Sequence, residues 1–244
     1  MAFGKRHDSG DLDDGVTTTP DPDDGELDGP FDIDDFDDPA AAAAGRLDLG
    51  SVLIPLPEAG QVQVELTQQG VPSAVWVVTP NGRFTVAAYA APKTAGLWRE
   101  VSAELADSLR KDVSQVSIQD GPWGREVVGV GSTDQAETGV RFIGIDGYRW
   151  MIRCVVNGPL PNIDALAVEA RNALTDTVVR RGETPLPVRT PLPVELPEPM
   201  ANQLRAAAEQ AAAQQGQQQP PPEPAARRSE QGSAMQQLRT ITGG

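Results

Sequence analysis

The sequence predicts an α+β domain built on an antiparallel sheet. Strand-like segments are grouped between single helical segments in the order three strands, a helix, about four strands and a second helix. A parallel sheet would need a long crossover after every strand, which this order does not supply. Turn-forming dipeptides also separate neighbouring strand-like segments, as they do in a meander of antiparallel strands.

The first three predicted strands lie between residues 62 and 90. Residues 62–66 alternate apolar and polar side chains, as a half-buried strand does. Residues 74–79 are a continuous apolar run, which indicates a strand buried on both faces. Pro80-Asn81-Gly82 is a turn signal. Residues 83–90 then resume the alternation, so the three segments predict an antiparallel meander.

Two segments have the three-and-four spacing of apolar residues that predicts an amphipathic helix. The first is 94–111, for which Thr94 is the candidate N-cap. The second is 162–179, with Asn162 as candidate N-cap and Asp164 in its first turn. Their predicted buried stripes are Leu97, Trp98, Val101, Leu105 and Leu109 in the first, and Ile163, Leu166, Ala170, Leu174 and Val178 in the second.

Between the two helices, residues 140–145 and 148–156 flank Asp146-Gly147, a strong signal for a two-residue hairpin turn. With that turn, Ile143 and Ile145 share a face with alternate residues from Tyr148 to Val156. Arg149 and Arg153 lie on the other face, and Arg141 points away from them.

The acidic charge of the chain is concentrated near its N-terminus. The chain has a formal net charge of -15, and fourteen Asp and Glu residues but no Lys or Arg lie between His7 and Gly45. So few apolar residues accompany these acids that their burial cannot offset the entropy of ordering the segment. We therefore expect residues 1–45 to be a disordered acidic arm that docks on a basic surface, either the Arg149 and Arg153 face or a partner.

Three segments follow this arm. Residues 46–183 contain all four Trp and form the predicted α+β domain. Residues 184–199 are a Pro-rich strap in which Thr184-Pro-Leu-Pro-Val188 recurs as Thr190-Pro-Leu-Pro-Val194, which favours polyproline II. The strap either lies along the domain or binds an aromatic-lined groove of the SH3 kind. Residues 200–244 are rich in Ala, Gln and Pro and are expected to be largely disordered, with a marginal helix at Met200–Gln215.

The residue types needed for common catalytic and metal chemistry are scarce. The chain has one His, in the arm, and one Cys, Cys154. The domain therefore offers no His base, no Ser-His or Cys-His pair, no disulfide and no ordinary zinc site. Glu100 and Glu104, one helical turn apart, are either an acid/base or cation pair or a solvated helix face. The sequence provides no catalytic residue, metal ligand or cofactor, and it favours a non-enzymatic role while leaving enzymatic activity open.

Two groups of residues are candidate interaction sites. In the arm, Phe31, Ile33 and Phe36 are spaced among acids, as in segments that fold onto a partner, unless they are incidental to a solubilising tail. In the domain, the candidates are an anion or acidic-peptide patch and a small-molecule or anion pocket. The pocket would lie near Trp123, Tyr148 and Arg149, and the patch would comprise Arg149 and Arg153.

The leading functional expectation is a cytoplasmic protein-interaction module that presents the acidic arm and the Pro-rich tail to a protein partner with a basic surface. The N-terminus has no apolar leader, no run approaches the ~20 apolar residues of a membrane span, and the domain is not basic. We therefore expect neither a membrane nor a nucleic acid as partner. The alternative is a small-molecule or anion-binding domain.

Several strings in the domain resemble an uncharacterised family. They are Ala90-Ala-Pro-Lys-Thr-Ala-Gly-Leu-Trp98, Gly121-Pro-Trp-Gly124, Arg141-Phe-Ile-Gly-Ile-Asp-Gly-Tyr-Arg-Trp150 and Asn157-Gly-Pro159. They are similar to the actinobacterial domain-of-unknown-function family 3710, whose members are labelled alanine-, glycine- and valine-rich conserved proteins. The resemblance spans roughly residues 46–200 and implies no activity. The order of elements looks like the PsbP/Mog1-type fold, a curved sheet flanked by helices, by analogy alone.

Overall fold

The computed structural model describes residues 29–68, 70–132 and 137–217, the last seven by their backbone alone. It confirms the α+β class with a large antiparallel sheet. A boundary between two compact units falls after Glu195. Within the described ranges, no helix is both long and apolar enough to cross a membrane.

The chain forms eleven strands and four α-helices within the described residues. The strands are β1 (Phe31–Asp32), β2 (Arg46–Asp48), β3 (Val52–Pro55), β4 (Gln61–Leu66), β5 (Pro72–Thr79), β6 (Gly82–Ala90), β7 (Gln115–Gly121), β8 (Gly124–Ser132), β9 (Glu137–Asp146), β10 (Trp150–Pro159) and β11 (Val178–Val179). The helices are α1 (Pro39–Ala43), α2 (Leu97–Leu109), α3 (Ile163–Thr175) and α4 (Glu198–Gln217).

The large sheet has seven strands in the order β4-β5-β6-β10-β9-β8-β7, and every neighbouring pair is antiparallel. Helix α3 packs against β10, β6 and β9, whereas α2 packs against β8, β9 and β7. The alternation of side chains along a strand separates the two helices onto opposite faces. Phe84, Ile143, Ile152, Cys154 and Val156 fill the α3 side and are each at most 1% exposed.

The expected disorder of residues 1–45 does not hold for residues 29–45. Strand β1 pairs in parallel with β11, and the Phe31 amide donates to the Thr177 carbonyl at 2.9 Å. The four-stranded sheet β1-β11-β3-β2 results. Residues 1–28 lie outside the described part of the chain. The domain offers this segment a sheet edge and an apolar surface, neither of which is visible in the composition of the segment itself.

The turn of the β9–β10 hairpin is longer than the two residues that Asp146-Gly147 predicted. Met151 pairs with Asp146, and the Gly147 amide donates to the Trp150 carbonyl at 2.9 Å. Ile145 pairs with Ile152, so the predicted sharing of faces by the strand residues is kept. Tyr148 and Arg149 instead lie in the loop, with φ +64° at Arg149. The Asp146 carboxylate accepts hydrogen bonds from the start of α2, which explains why the turn is longer than predicted.

That carboxylate caps α2 in place of the predicted Thr94. Asp146 accepts from the Gly96 amide at 2.9 Å and from the Trp98 amide at 3.0 Å, so an acidic group lies at the positive end of the helix. The helix also lies very close to the sheet. A Cβ at Gly144 would be 1.9 Å from the Trp98 ring, and only glycine allows this approach. The hairpin therefore fixes the start of α2.

The Pro-rich strap lies along the domain. Strand β5 pairs with β6 only from Thr79↔Gly82 to Trp76↔Thr85, and the strap pairs with the end of β6, from Ala88 to Ala90. Hydrogen bonds run from the Ala90 amide to the Thr190 carbonyl at 2.8 Å and from the Leu192 amide to the Ala88 carbonyl at 2.9 Å. Leu192 is buried. Thus β5 and the strap pair with different parts of the same edge of β6, and they separate from each other between those parts.

Helix α4 belongs to the second unit and extends beyond the marginal helix expected at Met200–Gln215. Its first turn includes a hydrogen bond from the Ala201 amide to the Pro197 carbonyl at 3.0 Å. The rest of the tail for which disorder was expected, residues 218–244, lies outside the described residues.

Candidate functional site

The structure distributes Trp123, Tyr148 and Arg149 between two depressions. Trp123 donates from Nε1 to the Gly29 carbonyl at 2.9 Å. It lines a hollow that we call the Trp-Arg depression, formed by Trp98, Arg99, Trp123, Gly124, Arg125 and Asp146. Tyr148, which is 60% exposed, and Arg149 line a different hollow together with Arg180 and Arg181. Trp123 thus lines one hollow, and Tyr148 and Arg149 line another.

The structure gives Arg149 and Arg153, the two residues of the expected patch, different surroundings. The Arg149 carbonyl accepts from the Ala91 amide at 2.9 Å and from Arg181 Nε at 3.2 Å, which holds the loop in place. Arg153 projects from β10, and its Cζ lies 4.8 Å from the centroid of the Tyr89 ring. The two arginines line separate hollows.

The apolar residues of the acidic segment pack within the domain. Phe31, Ile33 and Phe36 are half-buried and contact a small core of Ala42, Leu53 and Val178. The rings of Phe31 and Phe36 meet edge to face with centroids 5.8 Å apart. These three side chains are therefore part of the fold in this structure and are not displayed as a separate motif.

Glu100 and Glu104 bind a cation that belongs to the chain itself. Arg189 of the strap donates to both Glu104 oxygens at 2.9 and 2.8 Å and to Glu100 Oε2 at 3.1 Å. Glu104, followed by Glu100, raises the pKa of Arg189 above its usual range. The carboxylate pair thus attaches the strap to α2.

A buried ion cluster was missed by the sequence reasoning. Glu126 is 1% exposed and accepts from Arg141 Nη1 at 2.7 Å and from Arg171 Nη2 at 2.7 Å. Arg141 also donates to Asp164 at 3.1 Å and to Gln119 at 3.1 Å. The available signal was a glutamate at a strand position that faces the core, beside a run of apolar residues.

Cys154 belongs to the interior beside this cluster. Burial raises the pKa of its thiol far above the usual range; the negative charge of Glu126 acts in the same direction and Arg171 opposes it. The thiol is therefore protonated at neutral pH, as expected of a small core residue. Among the residues that the structure describes, no three His, Cys, Asp or Glu side chains are grouped as metal ligands.

The divergence of β5 and the strap opens a cavity of about 110 Å³, which we call the split-sheet cavity. Its wall is mostly apolar, and none of the described residues that line it is acidic. The apolar lining includes Leu49, Val52, Val75, Ala87, Val155 and Val194.

The polar groups of the split-sheet cavity include Arg153, Tyr89 and Thr85. Arg153 Nε is buried and has no hydrogen-bond partner among the described residues. Burial raises the pKa of Tyr89, although the positive charge of Arg153 opposes the shift, so the phenol keeps its proton and can donate. Ser51, by contrast, already donates to the Pro193 carbonyl at 2.7 Å.

Fold and cavity together define an α+β domain with a mostly apolar hollow, lined by an arginine whose Nε is buried. The chain belongs to the family described as "Protein of unknown function (DUF3710)", which matches residues 29–203. The match confirms the predicted family. It also begins at the residue where the described structure begins.

Two solved structures resemble the chain at 12% sequence identity. One is a crystal structure from Bacteroides thetaiotaomicron VPI-5482, with a TM-score of 0.42, covering 72% of this chain and 62% of that one. The chain thus spans about three fifths of that protein's length. The other is LpqN, "involved in cell envelope biogenesis of Mycobacterium tuberculosis", with a TM-score of 0.31, covering 53% of this chain and 83% of LpqN. No curated protein is significantly similar to the sequence.

Proposed function

We propose that this protein is a non-enzymatic binding module whose ligand is a small molecule with one anionic group on a short apolar body. The ligand occupies the split-sheet cavity. The observation that carries the proposal is Arg153, which lines this cavity and whose buried Nε has no hydrogen-bond partner among the described residues.

The chemistry of the cavity favours a carboxylate. Leaving a buried polar donor unpaired costs about 1–3 kcal/mol, and a ligand that accepts from it recovers that cost. The planar guanidinium fork matches the geometry of a carboxylate. The protonated hydroxyl of Tyr89 provides a neighbouring donor. Stacking on the Tyr89 ring holds the Arg153 side chain in place before the ligand arrives.

The size of the cavity limits the apolar part of the ligand. An apolar cavity of about 150 Å³ holds a benzene molecule, so a cavity of about 110 Å³ accepts a somewhat smaller apolar group. A short alkyl chain therefore suits that space. Each buried CH₂ contributes about 0.8 kcal/mol, so the apolar wall adds affinity without determining the position of the head group.

The test compares hexanoate, 1-hexanol and hexylamine as probes in NMR titrations of the full chain. Hexanoate should shift the amides of β5, the second half of β6 and residues 190–194. Hexanol should bind more weakly and hexylamine should not bind. Arg153→Gln should weaken hexanoate binding about 10- to 100-fold, because a hydrogen bond to a charged group contributes about 1.5–3 kcal/mol.

Arg83→Gln is the matched control. Arg83 also lies over an aromatic ring of the same sheet, with its Cζ 4.4 Å from the Trp76 ring centroid, but it does not line the cavity. Its loss should leave hexanoate binding unchanged. If hexanoate shifts no resonance of the cavity, or if Arg153→Gln binds it as tightly as the wild type does, the proposed function is wrong.

We propose protein interaction as a second candidate function. It is favoured by the first copy of the strap repeat, residues 184–188, which is mostly exposed, with Val188 at 49%, whereas the second copy is paired with β6. Such a module would present residues 1–28 and this first copy to a protein partner in the cytoplasm. Replacing Pro185 and Pro187 by Ala should reduce the amount of a co-purifying protein, whereas replacing Pro220 and Pro222 should not. Equal recovery would exclude the first copy as the binding segment.

A further inference from the structure

We propose that the Trp-Arg depression is an intramolecular docking site for the acidic segment formed by residues 8–28 of the same chain. This surface shares no lining residue with the split-sheet cavity, and of its residues only Trp123 was among the candidates expected from the sequence. The inference rests on where the chain enters the fold, on the charges that meet there and on the rigidity of the depression.

The chain enters the described fold at the edge of this depression. The carbonyl of Gly29 accepts a hydrogen bond from Trp123 Nε1 at 2.9 Å, and Trp123 is part of the depression. Two residues later, the Phe31 amide is bonded to Thr177, so the direction of the chain is fixed. Asp28 is bonded directly to Gly29. A residue spans at most about 3.6 Å of extended chain, so several acids preceding Gly29 can reach the depression.

The charges of the two surfaces are complementary. Residues 8–28 contain nine Asp and Glu residues and no Lys or Arg. The depression offers the exposed side chains of Arg99 and Arg125. Its own acid, Asp146, is engaged by the Gly96 and Trp98 amides at the N-terminus of α2, where the helix dipole offsets its charge.

The floor of the depression is rigid and partly apolar. Trp98 is 4% exposed and donates from Nε1 to the Arg125 carbonyl at 2.6 Å. Trp123 adds a half-buried indole whose N–H is already bonded to Gly29. Leu27, two positions before Gly29, supplies an apolar side chain within reach of this indole. Arginine charges and indole rings that line one hollow form a surface suited to acids interspersed with single apolar residues.

The covalent connection makes weak contacts sufficient for docking. Each exposed ion pair contributes little, and the contacts are screened over about 8 Å at physiological ionic strength. A short tether nevertheless gives an effective concentration of about millimolar, so the segment need not bind tightly as a free peptide. Docking should therefore be salt-sensitive and should depend on both arginines together.

The experiment measures paramagnetic broadening in the full chain. A spin label on the Thr18→Cys variant should broaden the amides of residues 98–99 and 123–125 and the Trp123 indole N–H. The native Cys154 is buried and should not be labelled, which the wild-type chain controls. At 1 M salt, where the screening length is about 3 Å, the broadening should fall at least threefold.

Charge variants identify the surface. Arg99→Glu combined with Arg125→Glu should abolish the broadening. The matched control reverses Arg110 and Lys111, two charges beyond the other end of α2, and should retain it. Any of three results would overturn the proposal. The broadening could spread evenly over the domain, it could be equal in the two double variants, or it could concentrate on Arg149 and Arg153. Near-ultraviolet circular dichroism of each variant verifies that Trp98 keeps its packing.

Discussion

Glu126→Gln is the substitution that most directly tests the interior of this domain. The change keeps the volume of the side chain and removes only its charge. Glu126 accepts from two arginines, and the side chains of Arg141 and Arg171 are 7% and 24% exposed. Glutamine would also point an N–H₂ group at one of these donors. The variant thus leaves buried positive charge uncompensated without opening a cavity.

The structure allows the size of this effect to be estimated. Removing one partner of a buried ion pair typically costs about 3–5 kcal/mol. Asp164 still faces Arg141 at 3.1 Å, and Arg171 keeps partial access to solvent, so the low end of this range applies. We expect a loss of about 3 kcal/mol, which is a large part of the 5–15 kcal/mol that stabilises a typical domain.

Urea unfolding followed by Trp fluorescence measures this loss. With an m value of about 2 kcal/mol/M, 3 kcal/mol moves the midpoint down by about 1.5 M. Glu104→Gln is the control, because it weakens an ion pair with Arg189 that is exposed to solvent and should therefore move the midpoint far less than Glu126→Gln does. If both variants lower the free energy of unfolding by the same small amount, the buried ion cluster does not hold the sheet and α3 together as described.

Three further predictions concern α2 and the core. Gly144→Ala should destabilise the domain by about 1–3 kcal/mol in urea, since its methyl would overlap the Trp98 ring; an unchanged midpoint would mean that α2 can move away freely. Trp98→Ala should cost about 3–5 kcal/mol by the same assay. Leu105→Ala should cost less, because Leu105 is only partly buried, and the reverse order would contradict the packing. Because the pKa of Cys154 is raised in the fold, its contribution to stability is complete below pH 9, the usual thiol value, and decreases as the pH rises above it. Alkylation of Cys154 at pH 8.5 should therefore require unfolding, and rapid labelling of the native protein would refute this.

The sheet and its two helices were predictable because their signals are local. Period-two alternation identified the strands, and the spacing of Leu97 and Trp98 with later apolar residues identified α2. The assignment of side chains to the two faces of the β9–β10 hairpin also followed from this alternation. The length of its turn did not, because the carboxylate of Asp146 caps a helix that lies about fifty residues earlier in the sequence. A turn propensity carries no information about such a distant partner.

The non-local parts of the fold and the cavity were not predictable. The composition of residues 29–45 predicts part of a disordered acidic tail. Their ordered structure depends on the edge of β11, a two-residue strand that no periodicity reveals. The strap was recognised by its repeat, but its pairing with the end of β6 depends on β5 diverging there. Arg153 lines the cavity between those two elements and shares it with neither Trp123, Tyr148 nor Arg149, so the candidate site could not be found from these three residues.

A crystal structure of the full chain with hexanoate tests the central claim most directly. We expect electron density for the ligand between β5 and the strap, with its carboxylate about 2.7–2.9 Å from Arg153 Nε and its chain along Val75 and Val155. The Arg153→Gln crystal under the same conditions should lack that density. Hexanoate bound only outside the split-sheet cavity, or bound there equally in both crystals, would contradict the assignment of this cavity as a site for anionic ligands.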